Sequence, residues 1–110
     1  MQKNIAMSNT KDLVDRVLSV VADVTEIPCE TILSKCSRTE VVDARWLAVA
    51  MLRRSGMYAM RIAEHLGITP RYVQYIITDF DDRIACNPTL RNSCERIAKK
   101  LRNDGEQTTK

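Results

Sequence analysis

The chain has 110 residues, 45% of them hydrophobic and 28% charged, with a formal net charge of +3. This length and composition fit one globular domain that buries its own core, and they exclude a chain that needs disulfides or a metal ion to fold. We find no signal peptide and no apolar run of about eighteen residues, so we expect a cytoplasmic protein without a membrane span.

The first half of the chain predicts a flexible N-terminus, residues 1–9, followed by three helices. Apolar residues at helical spacing predict a long amphipathic helix from about residue 10; they are Leu13, Val14, Val17, Leu18, Val21 and Val24. A short helix is expected after Pro28, and a polar, basic loop follows it. A third helix over 40–54 is apolar almost all round, which predicts a place at the centre of a bundle.

The stretch 59–78, AMRIAEHLGITPRYVQYIIT, has the pattern of a helix-turn-helix. Ala63 is small enough for two helices to cross there, and Gly67 can adopt the left-handed conformation that ends the first helix. Thr69 suits the N-cap of the second helix, and Pro70 suits its first position, where a missing N–H costs nothing. We therefore predict a scaffold helix before the glycine and a recognition helix after the threonine.

The predicted recognition helix, from residue 70 to about 84, has a buried stripe and an outward polar face. Arg71, Gln74 and Tyr75 lie on the outward side near the helix start, where such side chains can reach base edges in a major groove. These three are our candidate base-reading residues. The candidates for contacts with the DNA backbone, or for secondary contacts, are Lys35, Arg38, Arg45, Arg54, Arg61, Thr69, Tyr72 and Thr78.

The charge is distributed unevenly along the chain, as expected for a surface that binds double-stranded DNA. Residues 35–75 hold seven basic and three acidic side chains, a net +4, whereas the rest of the chain has a net charge of −1. Asp79, Asp81 and Asp82 cluster at the far end of the recognition helix, where they would repel phosphates. Only the N-terminal half of that helix is therefore expected to approach DNA.

The closing segment predicts one more helix and a flexible tail. Asn87 and Pro88 repeat the cap-plus-proline pattern, and apolar residues at helical spacing continue to about Arg102. Residues 103–110 are expected to be a flexible polar tail, which leaves 10–102 as a single domain. The predicted fold class is all-α: a small bundle of five to six helices that contains a helix-turn-helix.

The chain lacks the residue patterns of an enzyme. It has one histidine, no phosphate-loop or glycine-rich nucleotide motif and no nucleophile–base pair, so no catalytic residue is predicted. Its cysteines, at positions 29, 36, 86 and 94, have no C-x-x-C spacing, which argues against a structural zinc ion and for free thiols. The spacing alone leaves open a disulfide bond between Cys29 and Cys36. We expect no metal and no other cofactor.

The order of elements resembles the C-terminal DNA-binding domain of the bacterial replication initiator DnaA, within the Trp-repressor-like superfamily. The resemblance runs over residues 10–102 and rests on Ile32-Leu33-Ser34-Lys35, Ala44-Arg45, Arg61-Ile62-Ala63-Glu64-His65-Leu66-Gly67 and Ile97-Ala98-Lys99-Lys100-Leu101. It implies a fold in which a basic loop inserts arginine into the minor groove while the helix-turn-helix reads the major groove. On that implication, Lys35, Arg38 and Arg45 belong to the DNA-contacting loop region.

Two departures separate the chain from that family. Thr69-Pro70-Arg71-Tyr72-Val73 stands where the family carries an Asp-His-Thr-Thr-Val run that reads its target box. The sequence also has no phosphate loop of the initiator's ATPase module. We therefore expect a free-standing relative, encoded by a bacterium, phage or mobile element, that is associated with the nucleoid and acts in transcription or replication control.

A protein–protein interaction module on the same fold is the alternative function. Tyr72 and Tyr75 are side chains of a type that anchors protein interfaces, and the three aspartates discourage DNA along the end of the recognition helix. A homodimer or a protein partner is compatible with either function, because one small domain binds a single DNA site weakly.

Overall fold

The computed structural model describes the backbone of residues 2–109 and the side chains of residues 10–103. It contains six helices and, within the described residues, no strand. The helices are α1 (Gln2–Thr25), α2 (Cys29–Ile32), α3 (Thr39–Arg54), α4 (Ala59–Leu66), α5 (Pro70–Ala85) and α6 (Pro88–Thr109). The predicted fold class, a small all-α bundle containing a helix-turn-helix, is confirmed.

The centre of the bundle is α3. Every residue from Ala44 to Leu52 is buried, and the helix packs against all five others. Around it, α1 pairs with α6 and α4 pairs with α5. The apolar sequence of α3 predicted this central place, because a helix without a polar face is stable only when other elements surround it.

One continuous core holds the helices together. Large aliphatic side chains from different helices are fully buried in it, among them Val17, Ile32, Leu47, Ile62, Ile76 and Ile97. Burying one such side chain stabilises the fold by about 1.5–3 kcal/mol relative to leaving it exposed. Each of the six helices therefore contributes at least one anchor to the same core.

The two terminal helices are longer than the sequence predicted. The first begins at Gln2 and not near residue 10, and the last continues to Thr109, past Arg102. Apolar periodicity indicates where a helix packs on its neighbours, and a terminal helix can continue beyond its packed part. The segments predicted to be flexible, 1–9 and 103–110, lie outside the described side chains except for residue 103. In the described part, no helix combines the length and the apolar character needed to cross a membrane.

All four cysteines carry free thiols. Cys94 is buried in the core, Cys86 is exposed, and the two N-terminal cysteines are half-buried. The free-thiol prediction is confirmed, and Cys29 and Cys36, whose spacing left a pair open, are not bonded to each other.

Candidate nucleic-acid interface

The turn between α4 and α5 is built by local backbone chemistry. Gly67 has φ 70° and ψ 31°, the left-handed conformation that ends α4. A Cβ added at this glycine would meet nothing within 4 Å, so the requirement is conformational and not steric. Thr69 Oγ1 accepts a hydrogen bond of 3.1 Å from the N–H of Tyr72, and Pro70 takes the first helical position. The predicted cap residues therefore fix where α5 begins and how it leaves the turn.

The first half of α5 presents one polar face to solvent. Val73 and Ile76 are fully buried, whereas Arg71, Gln74, Tyr75 and Thr78 are exposed. These four exposed residues are called the recognition face below. Steps of 100° per residue place them within about 100° of arc around the helix, so their side chains leave the same side. The structure therefore brings the three predicted base-reading residues together.

The second half of α5 continues the same outward side with opposite charge. Asp81 and Asp82 are exposed and Asp79 is half-buried. None of these three carboxylates forms an ion pair with the described part of the chain. Because phosphates are repelled by unpaired carboxylates, the charge pattern favours approach of a polyanion only to the first half of the helix.

Trp46 on α3 contacts both tyrosines of α5. Its Nε1 lies 3.4 Å from the hydroxyl oxygen of Tyr72, to which it donates. Its ring packs edge to face against Tyr75, with 5.6 Å between ring centroids and 87° between planes. Trp46 is 3% exposed and belongs to the core, while Tyr75 stays 55% exposed. A buried ring therefore restricts the orientation of Tyr75, which belongs to the recognition face, and of Tyr72 next to it.

An ion pair between α3 and α5 lies next to the same indole ring. Arg83 donates to Asp43 at 2.9 Å from Nε and lies at 2.8 Å from the same carboxylate through a second nitrogen. The guanidinium carbon sits 4.6 Å from the centroid of the Trp46 ring, within the range of a cation–π contact. The second half of α5 is thereby fixed to the first turns of α3.

Arg45 has a different role from the one the sequence predicted. It was expected to contact the DNA backbone, but it is only 7% exposed. Its Nε donates to the carbonyl of Ile32 at 2.9 Å, and one terminal nitrogen donates to the carbonyls of Ser34 and Cys36 at 2.7 and 3.2 Å. Burying a charged group is stable only when its donors are satisfied, and these three carbonyls satisfy it. The side chain therefore holds the loop, and only its small exposed part lines the groove between that loop and α5.

The loop that Arg45 holds, residues 33–38, lies beside the start of α5 and is called the basic loop below. An open groove between the two is lined on the loop side by Ser34 and Lys35 and on the helix side by Gly67, Thr69 and Tyr72. The lysine is exposed. The structure thus places Lys35 near the first turn of α5, although more than thirty residues separate them in sequence.

The remaining candidate residues are more scattered. Arg38 is 72% exposed and makes a 3.5 Å contact with Glu40, and Arg61 lies 3.9 Å from Glu64. Arg54 faces the second half of α5: its guanidinium carbon lies 6.0 Å from the ring centroid of Phe80. Arg54 also lies 3.7 Å from the sulfur of Cys94. It is therefore placed away from the start of α5, while Arg38 keeps a cationic group in the basic loop.

The contact between two residues of this region was not predicted from the sequence. Asp43 and Arg83 are forty positions apart, and no local pattern links them. The only available signal was a basic residue in the last turn of a helix that otherwise carries three aspartates. That pattern suits the helix dipole and does not identify a partner on α3.

Comparison with known proteins agrees with this geometry. A family model described as a homeodomain-like domain matches residues 39–88, the stretch that contains α3, α4 and α5. None of the curated proteins compared with the chain matches it. The family match supports a helix-turn-helix but not the more specific resemblance to DnaA, which also involves residues before and after this stretch. Residues 39–88 are therefore similar to a homeodomain-like domain, and this similarity supports the helix-turn-helix formed by α4 and α5.

Proposed function

We propose that the protein binds double-stranded DNA in a sequence-specific manner through the recognition face of α5. The observation that carries this proposal is the convergence of Arg71, Gln74 and Tyr75 on one exposed side of the first turns of a capped helix. Neither Arg71 nor Gln74 has an ion pair or hydrogen bond to the described part of the chain, so their polar groups are available to a ligand. Arginine and glutamine are side chains that read guanine and adenine in the major groove.

The individual roles follow from chemistry and placement. Arg71 can bind the O6 and N7 atoms of guanine through two hydrogen bonds, and Gln74 can bind N6 and N7 of adenine. Tyr75 and Thr78 are placed for a phosphate or for the methyl group of thymine. Each good base contact contributes about 1–3 kcal/mol of discrimination against the wrong base.

The basic loop supplies the proposed contacts with the DNA backbone. Lys35 lies across an open groove from Thr69 and Tyr72, so a phosphate near the start of α5 is within reach of several donors. Arg38 and Arg61 are exposed and add sequence-independent attraction, and Arg54 is a more distant contributor. Arg45 acts indirectly in this proposal, by holding the loop in place.

The resemblance to the DnaA C-terminal domain is part of the proposal. A basic loop followed by a helix-turn-helix, with helices before and after it, is present in the order that resemblance implies. On this basis the protein acts at the bacterial, phage or mobile-element nucleoid, in transcription or replication control. Its target sequence should differ from the initiator's box, because the residues at the start of α5 differ from that family's signature.

The test is a selection from random duplex DNA, followed by sequencing of the retained fraction at two salt concentrations. We expect an enriched sequence and an affinity that falls steeply with salt. The double variant Arg71→Ala/Gln74→Ala should lose the enrichment at two or more base positions and keep weak, salt-dependent binding.

A matched control is available on the same helix. Asp81→Ala/Asp82→Ala also replaces two exposed residues of α5 with alanine, but in the second half of the helix, beyond the proposed interface. It should keep the selected sequence and bind DNA at least as tightly as the original chain, because two repulsive charges are removed. The assignment fails if both double variants select the same sequence as the original chain.

A protein partner on the same helix is the second candidate function, and one observation favours it. An open groove over the edge of the buried tryptophan is lined by Tyr75, Asp79, Asp82, Cys86 and Asn87, and by Arg83, whose charge is paired with Asp43. An exposed aromatic beside carboxylates suits a basic protein segment better than a nucleic acid. Absence of DNA retention at low salt, together with binding of a protein through Tyr75, would support this function over the first.

A further inference from the structure

The outer face of α6 carries a second group of basic side chains, separate from the helix-turn-helix. Arg91, Arg96, Lys99 and Arg102 are all exposed. At 1.5 Å per residue they extend over about 16 Å of the helix, and at 100° per residue they spread over about 140° of arc away from the buried residues. The exposed Glu95 lies within the same arc. They are called the α6 basic face below. It lies outside residues 39–88, which the homeodomain-like family model covers.

This segment carries the same net charge as residues 35–75, in 12 positions instead of 41. Residues 91–102 hold five basic side chains and one acidic side chain, a net +4. The neighbouring outer face of α1 is weakly acidic, since exposed Asp12, Asp15 and Asp23 outnumber the two exposed basic residues, Lys11 and Arg16. Of these two neighbouring helices, α6 therefore carries a net positive charge on its outer face, and α1 does not.

Arg91 donates to the carbonyl of Ala85 at 3.2 Å, at the end of α5, but the fold gives no reason for the other three charges of the α6 basic face. Arg96, Lys99 and Arg102 have no ion pair or hydrogen bond with the part of the chain that the structure describes, whereas Lys100 pairs with Asp23 at 2.9 Å. Like charges three residues apart on a helix are mildly destabilising. The helix dipole does not explain them either, because α6 continues to Thr109 and its last turn contains no basic residue.

We infer that the α6 basic face binds the phosphate backbone of duplex DNA without reading its sequence. The ligand must be a polyanion long enough to meet several cations along about 16 Å, and duplex DNA carries one negative charge per about 1.7 Å of its axis. The proposed function already brings such a duplex to the protein, so a second contact would benefit from a high local concentration. The inference stands on the charges of α6 and not on base reading by α5.

The test compares two double variants that each lower the net charge from +3 to +1. Lys99→Gln/Arg102→Gln removes two unpaired cations of the α6 basic face. Arg16→Gln/Lys100→Gln is the matched control, because one charge lies on the acidic face of α1 and the other is already paired with Asp23. Thermal melting of all three proteins verifies that the fold is retained.

The measurement is the affinity for a mixed-sequence duplex at several salt concentrations. Each lost phosphate contact lowers the slope of log affinity against log salt by about 0.9. We expect the α6 variant to lower that slope by about 1.8 and to keep the base preference of the original chain, with little change in the control. Equal slopes for the two double variants would overturn the inference, as would an absence of DNA binding by the original chain.

The result separates this inference from the proposed function. A smaller slope of log affinity against log salt in the α6 variant, with no base preference in the original chain, would support the α6 contact and refute base reading by α5. An unchanged salt slope in the α6 variant, together with a clear base preference in the original chain, would refute the α6 contact and support base reading by α5. If the α6 substitutions change self-association in sedimentation and leave the DNA slope unchanged, the face binds an acidic protein surface and the inference is wrong.

Discussion

The basic loop and the start of α5 lie on two sides of one groove, yet different interactions hold them. The start of α5 is fixed by residues next to one another in the chain: a left-handed glycine, a capping threonine and a proline. The basic loop has local hydrogen bonds through the hydroxyl of Ser34, but only one buried arginine, Arg45, ties it to α3 among the described hydrogen bonds, through carbonyls 9 to 13 positions away. One side of the proposed interface therefore depends on local backbone chemistry, and the other depends on one long-range anchor.

The largest expected effect comes from removing that anchor. Arg45→Met keeps a long apolar side chain but leaves the carbonyls of Ile32, Ser34 and Cys36 without their donor. We expect the free energy of unfolding to fall by about 3 kcal/mol, because hydrogen bonds from a charged group are the strong ones. Urea denaturation measures the loss.

The control for this change is Arg45→Lys, which keeps the charge and loses the fork of donors that spans three carbonyls. It should be intermediate in stability. Hydrogen exchange should show faster exchange in the basic loop of the methionine variant while α5 stays protected. A loss below about 1 kcal/mol for that variant would show that the loop does not depend on this anchor.

A smaller effect is expected at the turn. Gly67→Ala places a Cβ at φ 70°, where a side chain meets no neighbour but the backbone conformation is strained. We expect a loss of about 1 kcal/mol in the free energy of unfolding. Gly67→Asn is the matched variant, since asparagine tolerates the left-handed region, and it should recover part of the loss. Equal stability of the alanine variant and the original chain would argue against a conformational requirement.

The N-cap should give a comparable or slightly smaller effect. Thr69→Ala removes the acceptor for the N–H of Tyr72 and should destabilise the protein by about 1 kcal/mol. Thr69→Ser keeps the oxygen and should lose little. Because the cap acts on the first turn of α5, the alanine variant should also show faster hydrogen exchange at residues 71–73 than at the basic loop. Faster exchange in the basic loop than at residues 71–73 would show that the loop and the start of α5 are not held by separate interactions.

The smallest effect is expected at the surface pair of the basic loop. Arg38 and Glu40 are 72% and 61% exposed and 3.5 Å apart, so Glu40→Gln should change stability by no more than about 0.5 kcal/mol. The same change frees the arginine and should slightly raise the affinity for duplex DNA at low salt. A stability loss above about 1 kcal/mol would show that this pair, and not Arg45 alone, holds the loop.

The same contrast explains how much could be predicted from sequence. The bounds of α4 and the start of α5 were predictable, because Gly67, Thr69 and Pro70 act on their immediate neighbours. The burial of Trp46 was predictable from the apolar run around it. The role of Arg45 was not, since its three partners are backbone carbonyls that no residue pattern marks. The pairing of Asp43 with Arg83 was likewise hidden, because only the crossing of α3 and α5 brings them together.

The most direct test of the proposed interface is a nuclear magnetic resonance titration of the labelled protein with a mixed-sequence duplex at low salt. We expect amide shifts to change together at residues 34–38 and 69–78, because the basic loop and the first half of α5 meet the same duplex. Residues 79–85 should change little. Changes confined to 79–85, with none at the start of α5, would contradict the account and identify the acidic half of that helix as the binding surface.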